Sequence, residues 1–161
     1  MPEVYCHSQR YLCVMNYWST PGKPPNSLYY YTTIDMQTGD KVRLDDLVEF
    51  SEGFIEYMRH GVFQKPYWTG KELNASSELV QEWLNALTDE QILQELAECS
   101  KEQSDFYDSE GEYDLQALFH RNAFRVEDGR LVIIFSKSNE TEVSLIAHLD
   151  DIEMFLKVPK W

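Results

Sequence analysis

The 161-residue sequence predicts one domain over residues 1–161, of the α+β class, with a mostly antiparallel twisted sheet and helices packed on one face. Three observations predict this class. Alternating or doubly apolar segments typical of strands occur near both ends of the chain. Two amphipathic helical patterns lie between them, at residues 76–87 and 88–99. Turn signals at Gly39 and at Asp128–Gly129 join neighbouring strands into hairpins, which makes the pairing antiparallel.

The first two predicted strands are Val4–His7 and Tyr11–Trp18. The second is apolar on both faces, so we expect it to be central in the sheet. A turn at Gln9–Arg10 would place Cys6 directly opposite Cys13, where opposed side chains of an antiparallel pair are close enough to bridge. A Gln-Arg pair, however, is poor chemistry for a two-residue turn. The sequence therefore leaves a disulfide and two packed thiols as alternatives.

The third predicted strand, Leu28–Asp35, is followed by a turn at Met36–Gly39, in which Gly39 can take a positive φ without steric cost. Lys41–Leu44 alternates polar and apolar residues, as a half-buried returning strand does. Asp45 then has the chemistry of an N-cap and predicts a short helix that reaches Val48.

This stretch contains the pattern T-x-D-x-x-T-G followed by L-x-D-L, here Thr33, Asp35, Thr38 and Gly39, then Leu44, Asp46 and Leu47. It resembles the C-terminal domain of the RsiV/PdaC-like family of bacterial extracytoplasmic proteins. Residues 124–135 resemble the closing hairpin of that family, and residues 150–156 resemble its last helix.

The resemblance implies a place outside the bacterial cytoplasmic membrane, with anchoring through upstream sequence that is not among these residues. A cytoplasmic location is the alternative, because no secretion signal precedes the first strand. The loops at residues 19–26 and 136–141 depart from the family pattern, so we transfer no ligand role to them. The motif residues have the chemistry of turns and caps, so we transfer no catalytic role either.

The central helices have distinct apolar faces. In the first, the face comprises Leu79, Val80, Trp83, Leu84 and Leu87, and Ser76 is the predicted cap. In the second, Thr88 and Gln91 form a predicted capping box, and the apolar stripe comprises Ile92, Leu93, Leu96 and Cys99. Together with the strands, these patterns predict one core that contains Ile34, Leu79, Trp83, Leu84, Leu96, Ile133, Phe135, Leu145 and Phe155.

The net charge of −14 is concentrated in one part of the chain. Residues 73–120 hold 12 acidic side chains and one basic side chain, which gives −11, while all other residues together give −3. Phosphate binding requires clustered Lys and Arg, so this distribution argues against nucleic acid as a partner. A solvated and solubilising surface explains such a distribution, and the electrostatically reasonable partners are a cationic protein or peptide, a cell-wall component or a divalent ion. The predicted partner-binding residues are Asp105, Asp108, Glu110, Glu112 and Asp114.

That acidic loop does not fit an EF-hand. Alignment of Gly111 with the turn glycine places Phe106 and Ala117 where carboxylate ligands are required. A looser calcium site and a solvated loop remain as alternatives. The four histidines have no metal-ligand spacing with one another or with a cysteine, and no cofactor fingerprint occurs, so we predict no metal, cofactor or catalytic residue.

The predicted function is a non-enzymatic extracytoplasmic binding or sensor domain of a bacterial cell-envelope protein, which recognises a protein, a peptide or a cell-wall component. The alternatives are a hydrolase whose site is dispersed in the sequence, with a metal on the 105–114 loop, and a cytosolic interaction protein. No run of 18 apolar residues occurs, so we expect no membrane span within the chain.

Overall fold

The computed structural model describes residues 2–20, 26–61, 63–64, 77–101, 110, 122–136 and 142–161. Within these ranges the strands are β1 Pro2–His7, β2 Tyr11–Thr20, β3 Asn26–Asp35, β4 Phe63–Gln64, β5 Ala123–Glu127, β6 Arg130–Ser136 and β7 Glu142–His148. The helices are α1 Leu44–Leu47, α2 Glu52–Arg59, α3 Ser77–Ala86, α4 Asp89–Glu98 and α5 Leu149–Ile152, which continues into a 3-10 turn, Glu153–Phe155.

The strands form two antiparallel sheets, and the predicted α+β class is confirmed. The first sheet has the order β1-β2-β3, so β2 is central, as its apolar faces predict. The second sheet has the order β4-β7-β6-β5. Strand β5, at one side of the second sheet, lies against all three strands of the first. The two sheets therefore share one core, and β5 joins them.

The β1–β2 hairpin turns at Gln9–Arg10, as the predicted register requires. Ser8 supplies the turn chemistry that a Gln-Arg pair lacks. Its hydroxyl oxygen accepts hydrogen bonds from the backbone N–H groups of Tyr11, at 2.9 Å, and Arg10, at 3.3 Å. The serine hydroxyl therefore fixes the hairpin without a glycine or an asparagine in the loop.

The turn after β3 also follows the prediction. Gly39 has φ of +80° and donates its N–H to the Asp35 carbonyl over 2.7 Å. The predicted returning strand is shorter than expected. It consists of one bridge between Ile34 and Lys41, after which the chain enters α1 at Leu44.

The prediction that Asp45 caps α1 is wrong, because the helix begins two residues earlier than that cap would allow. Arg43 occupies the N-cap position, and the Asp46 carboxylate accepts the Arg43 backbone N–H over 2.8 Å. The backbone N–H of Leu44 is satisfied by the hydroxyl oxygen of Ser100 over 2.9 Å, a contact 56 residues away in sequence. A local cap signal could not reveal that partner.

The capping box of α4 is confirmed. Thr88 Oγ1 accepts from the Gln91 backbone N–H over 3.2 Å, and Gln91 Oε1 accepts from the Thr88 N–H over 2.9 Å. Helix α3 begins at Ser77, and the predicted cap Ser76 lies outside the described residues. The assignment of Leu93 to the buried stripe of α4 is wrong, since its side chain is 37% exposed.

Most of the predicted core is confirmed. Five of the nine predicted residues are fully buried in one cluster, namely Leu84, Leu96, Ile133, Phe135 and Leu145. Trp83 and Phe155 are half-buried and pack against that cluster, whereas Ile34 is half-buried and outside it. The side chain of Leu79 is not described. The C-terminal residues close the cluster through an antiparallel bridge between Val48 and Leu156.

Candidate functional site

Asp35, the acidic residue of the T-x-D-x-x-T-G pattern, holds the turn that follows β3. Its carboxylate accepts the Gln37 backbone N–H over 2.9 Å and two hydrogen bonds of 3.1 Å from the Arg10 guanidinium. These interactions lower the pKa of Asp35, with the Gln37 N–H as the largest cause. Arg10 also lies over the Tyr11 ring, 5.3 Å from its centroid. The carboxylate is therefore engaged in holding the two hairpins together.

The other motif residues have similar structural roles. Thr38 Oγ1 accepts the Asp40 N–H over 3.2 Å, while Leu44 and Leu47 are fully buried. Thr33 is buried beside Cys13 on the neighbouring strand, and burial raises the pKa of the Cys13 thiol. Asp35, Thr38, Gly39 and Asp46 thus have the turn and cap roles expected from the sequence, whereas Thr33, Leu44 and Leu47 contribute buried side chains.

A second polar group ties the β5–β6 hairpin to the rest of the fold. Glu127 forms two ion pairs through separate carboxylate oxygens. Its Oε1 lies 2.8 Å from Arg125 Nε, and its Oε2 lies 2.6 Å from Arg130 Nη2. Arg125 also donates to the Tyr31 hydroxyl oxygen over 3.4 Å, and the Trp161 indole N–H donates to the Glu127 carbonyl over 3.1 Å. Arg125 and Glu127 are largely buried, with side chains 19% and 15% exposed, whereas Arg130 is exposed at the hairpin turn. The hydrogen bond from Arg125 to Tyr31 therefore links the second sheet to the first.

The acidic loop predicted to bind a partner falls mostly outside the described residues. Asp105, Asp108, Glu112 and Asp114 lie there, and the part of the prediction that concerns them stays a prediction. Glu110 is described, and its side chain is exposed. The described part of the acidic segment therefore consists mainly of helices α3 and α4.

Helices α3 and α4 carry a large share of the negative charge in their own right. Residues 77–101 contain six acidic side chains against one basic side chain, which gives −5. Glu82 and Glu90 are exposed, whereas Glu95 and Glu98 are half-buried. The segment thus presents part of its negative charge to solvent.

One face of α4 combines this charge with an exposed apolar side chain. Glu90, Leu93, Gln94 and Ala97 recur at i, i+3, i+4 and i+7 and are all exposed; we call them the α4 outer face. Leu93 is 37% exposed, although Leu96 on the same helix is fully buried. Sequence spacing did not distinguish the exposed leucine from the buried one, because Leu93 lies three residues before Leu96 and residues three apart lie on the same side of a helix.

Arg59 of α2 fixes the junction between α3 and α4. Its guanidinium donates to the carbonyl oxygens of Leu84 and, over 2.9 Å, Leu87, where α3 ends. It also forms an ion pair of 2.7 Å with the carboxylate of Asp89, in the first turn of α4. Arg59 is largely buried, with a side chain 14% exposed, so this contact holds the two helices in a defined arrangement.

Asn122 holds the other end of α4. Its side-chain amide donates to Glu95 Oε2 over 2.6 Å and to the Glu95 carbonyl over 3.1 Å. Its backbone N–H donates to Glu98 Oε2 over 3.3 Å. The half-buried carboxylates of α4 therefore fix the helix to the start of β5, so that polar contacts attach α4 to neighbouring elements near both of its ends.

Two further features of the described part bear on function. It contains no group of three or more His, Cys, Asp or Glu side chains placed to hold a metal ion. None of its helices combines the length and apolar character needed to cross a bilayer.

Comparison with known proteins adds no assignment: no family model matches this sequence, and no curated protein matches it significantly.

Proposed function

We propose that this chain is a non-enzymatic binding or sensor domain that recruits a cationic protein or peptide to the α4 outer face. The observation that carries the proposal is the exposure of Leu93 on a helix held by polar contacts near both ends, within the most acidic part of the chain. Charge attracts and orients a basic partner, and an apolar contact slows its dissociation. The α4 outer face offers both.

The electrostatic part of the proposal follows from the distribution of charge. Exposed carboxylates such as Glu82 and Glu90 act over roughly 8 Å at physiological ionic strength, which is enough to steer a basic partner during encounter. Surface ion pairs add little affinity once formed, because both charges were well hydrated before contact. The affinity must therefore come largely from apolar burial, for which Leu93 is the larger of the two apolar side chains on this face.

The C-terminal turn provides an instructive comparison. Met154 is 80% exposed and also lies among carboxylates. There, however, Lys160 Nζ lies 2.9 Å from Asp150 Oδ1 and 3.4 Å from Glu153 Oε1, so a resident cation already offsets the negative charge. A basic partner would gain less by approaching that surface, which favours α4 as the contact.

The proposed cellular setting is the bacterial cell envelope. The resemblance of residues 33–47 to the RsiV/PdaC-like family supports a cell-envelope protein that acts outside the cytoplasmic membrane. In that setting the cationic partner would be an extracellular protein or peptide whose arrival the domain senses. The acidic loop at residues 105–114 stays a predicted contact for the same partner, because it carries five acidic side chains.

The test uses a synthetic peptide that forms an amphipathic helix, with leucines on one face and lysines on the other. In a control peptide, serines replace the leucines. We expect saturable binding of the first peptide and weaker binding of the second. Leu93→Ser should weaken binding of the leucine peptide by about tenfold, which corresponds to about 1.4 kcal/mol. Met154→Ser, which changes an exposed apolar side chain elsewhere, should leave the dissociation constant within about twofold of the parent.

Isothermal calorimetry on the full chain gives these constants. No saturable binding, or equal weakening by the two substitutions, would contradict a specific contact at Leu93.

A further inference from the structure

The β1–β2 register brings two cysteines together. Cys6 pairs directly with Cys13 across the antiparallel ladder, although the ladder shifts by one residue immediately beyond, between Val4 and Cys6. Directly opposed residues of an antiparallel pair lie on the same face of the sheet. Their Cα atoms are separated by about 4.5 or 5.5 Å, depending on the hydrogen-bonding pattern, and both separations fall in the range that disulfides span.

Two features favour a bond at this position over other pairings. The register shift interrupts the regular ladder one residue from Cys6, and such bulges bend the strand locally, which lets the backbone adjust. The third cysteine, Cys99, lies at the C-terminal end of α4 and is buried there. Cys13 itself carries a free, buried thiol.

The geometry points to a cross-strand disulfide between Cys6 and Cys13 that forms when the protein meets a disulfide oxidant. One cysteine thiolate attacks the oxidant, breaks its S–S bond and releases one thiolate. The second cysteine thiolate then attacks the mixed disulfide, forms the protein S–S bond and releases the other thiolate. The protein loses two electrons and two protons, and the oxidant gains both as two thiols. The bond would tie β1, at the side of its sheet, to the central strand β2.

The experiment exposes the reduced, folded full chain to oxidised glutathione, quenches it in acid and alkylates the remaining thiols in denaturant. Trypsin cleaves after Arg10, which separates Cys6 from Cys13. We expect mass spectrometry to find the peptide of residues 1–10 joined to the peptide of residues 11–41. The mass of the joined product should be two hydrogens below the sum of the two peptide masses, and a reductant should separate the peptides. Cys99 should be alkylated. Alkylation of both Cys6 and Cys13, or linkage of either to Cys99, would overturn the inference.

A register control separates fold from chain proximity. The double substitution Cys13→Ser with Val14→Cys moves the thiol by one residue, opposite Val4 instead of Cys6, and onto the other face of β2. The folded variant should give less than about a tenth of the linked product, because the thiols no longer lie on one face of the sheet. Equal linkage in the variant and the parent would show that closeness in sequence, not register, brings the thiols together, and would overturn the inference.

Discussion

At the scale of single residues, Asp35 connects two turns that are remote in sequence. Its carboxylate accepts from Gln37 in its own turn and from Arg10 in the preceding hairpin. The residue type predicts the first contact, because an aspartate often accepts a hydrogen bond from a backbone N–H two residues later. The contact with Arg10 depends on how the β2–β3 pair brings the two turns together, so no local pattern reveals it.

This arrangement predicts a pH dependence of stability. The pKa of Asp35 lies below its usual value of 3.8 in the folded protein, so the carboxylate stabilises the fold at pH values above 3.8. That stabilisation is lost as the pH falls through the folded-state pKa. We expect Asp35→Asn to lower the free energy of unfolding at neutral pH, and the difference from the parent to shrink as the pH falls below about 4.

Urea denaturation across this pH range measures the difference, with Asp40→Asn, an exposed change in the same turn, as the control. A difference that stays constant into strong acid would show that ionisation of Asp35 does not contribute.

At the scale of elements, caps and turns were predictable where both partners are local. The α4 capping box and the positive φ of Gly39 each depend on residues within four positions. The start of α1 could not be predicted in this way, because the Leu44 N–H donates to the hydroxyl oxygen of Ser100 in a distant part of the chain. The rotation of α4 about its axis relative to the core was predicted only in part, since helical spacing allows Leu93 to be either buried with the apolar stripe or exposed beside it.

The rotation of α4 can be tested by two matched truncations on the same helix. Leu96→Ala removes a fully buried side chain and should lower the free energy of unfolding by about 2–5 kcal/mol. Leu93→Ala truncates a side chain that is 37% exposed and should cost under about 1 kcal/mol. Equilibrium denaturation of both variants gives the comparison. Similar losses for the two would mean that the outer face is buried and unavailable to a partner.

At the scale of the whole molecule, the sequence predicted the class and the antiparallel pairing but not the division into two sheets. Strand β5 belongs to the hairpin with β6 and yet lies against the first sheet. That packing depends on contacts such as Arg125 with Tyr31, 94 residues apart in sequence, which no local pattern encodes. The acidic character of the candidate site, in contrast, followed directly from composition, because charge does not depend on the details of packing.

Negative charge on α3 and α4 should steer a cationic partner to the α4 outer face. Two double variants with the same net charge separate this local steering from a general attraction by an acidic protein. Glu82→Gln with Glu90→Gln neutralises exposed carboxylates on α3 and α4. Glu49→Gln with Glu52→Gln neutralises exposed carboxylates before and in α2. Each pair contains one first-turn residue of a helix, so the effects of the two pairs on helix dipoles are matched.

The most direct measurement is the association rate of the lysine–leucine peptide with each variant by stopped-flow fluorescence, as ionic strength rises from about 0.02 to 0.3 M. We expect the Glu82 and Glu90 variant to associate about threefold or more slowly than the parent at low salt, and with a shallower salt dependence. The Glu49 and Glu52 variant should keep a rate close to that of the parent. Equal slowing of both variants, or of neither, would show that the charge on α3 and α4 does not steer the partner to this face.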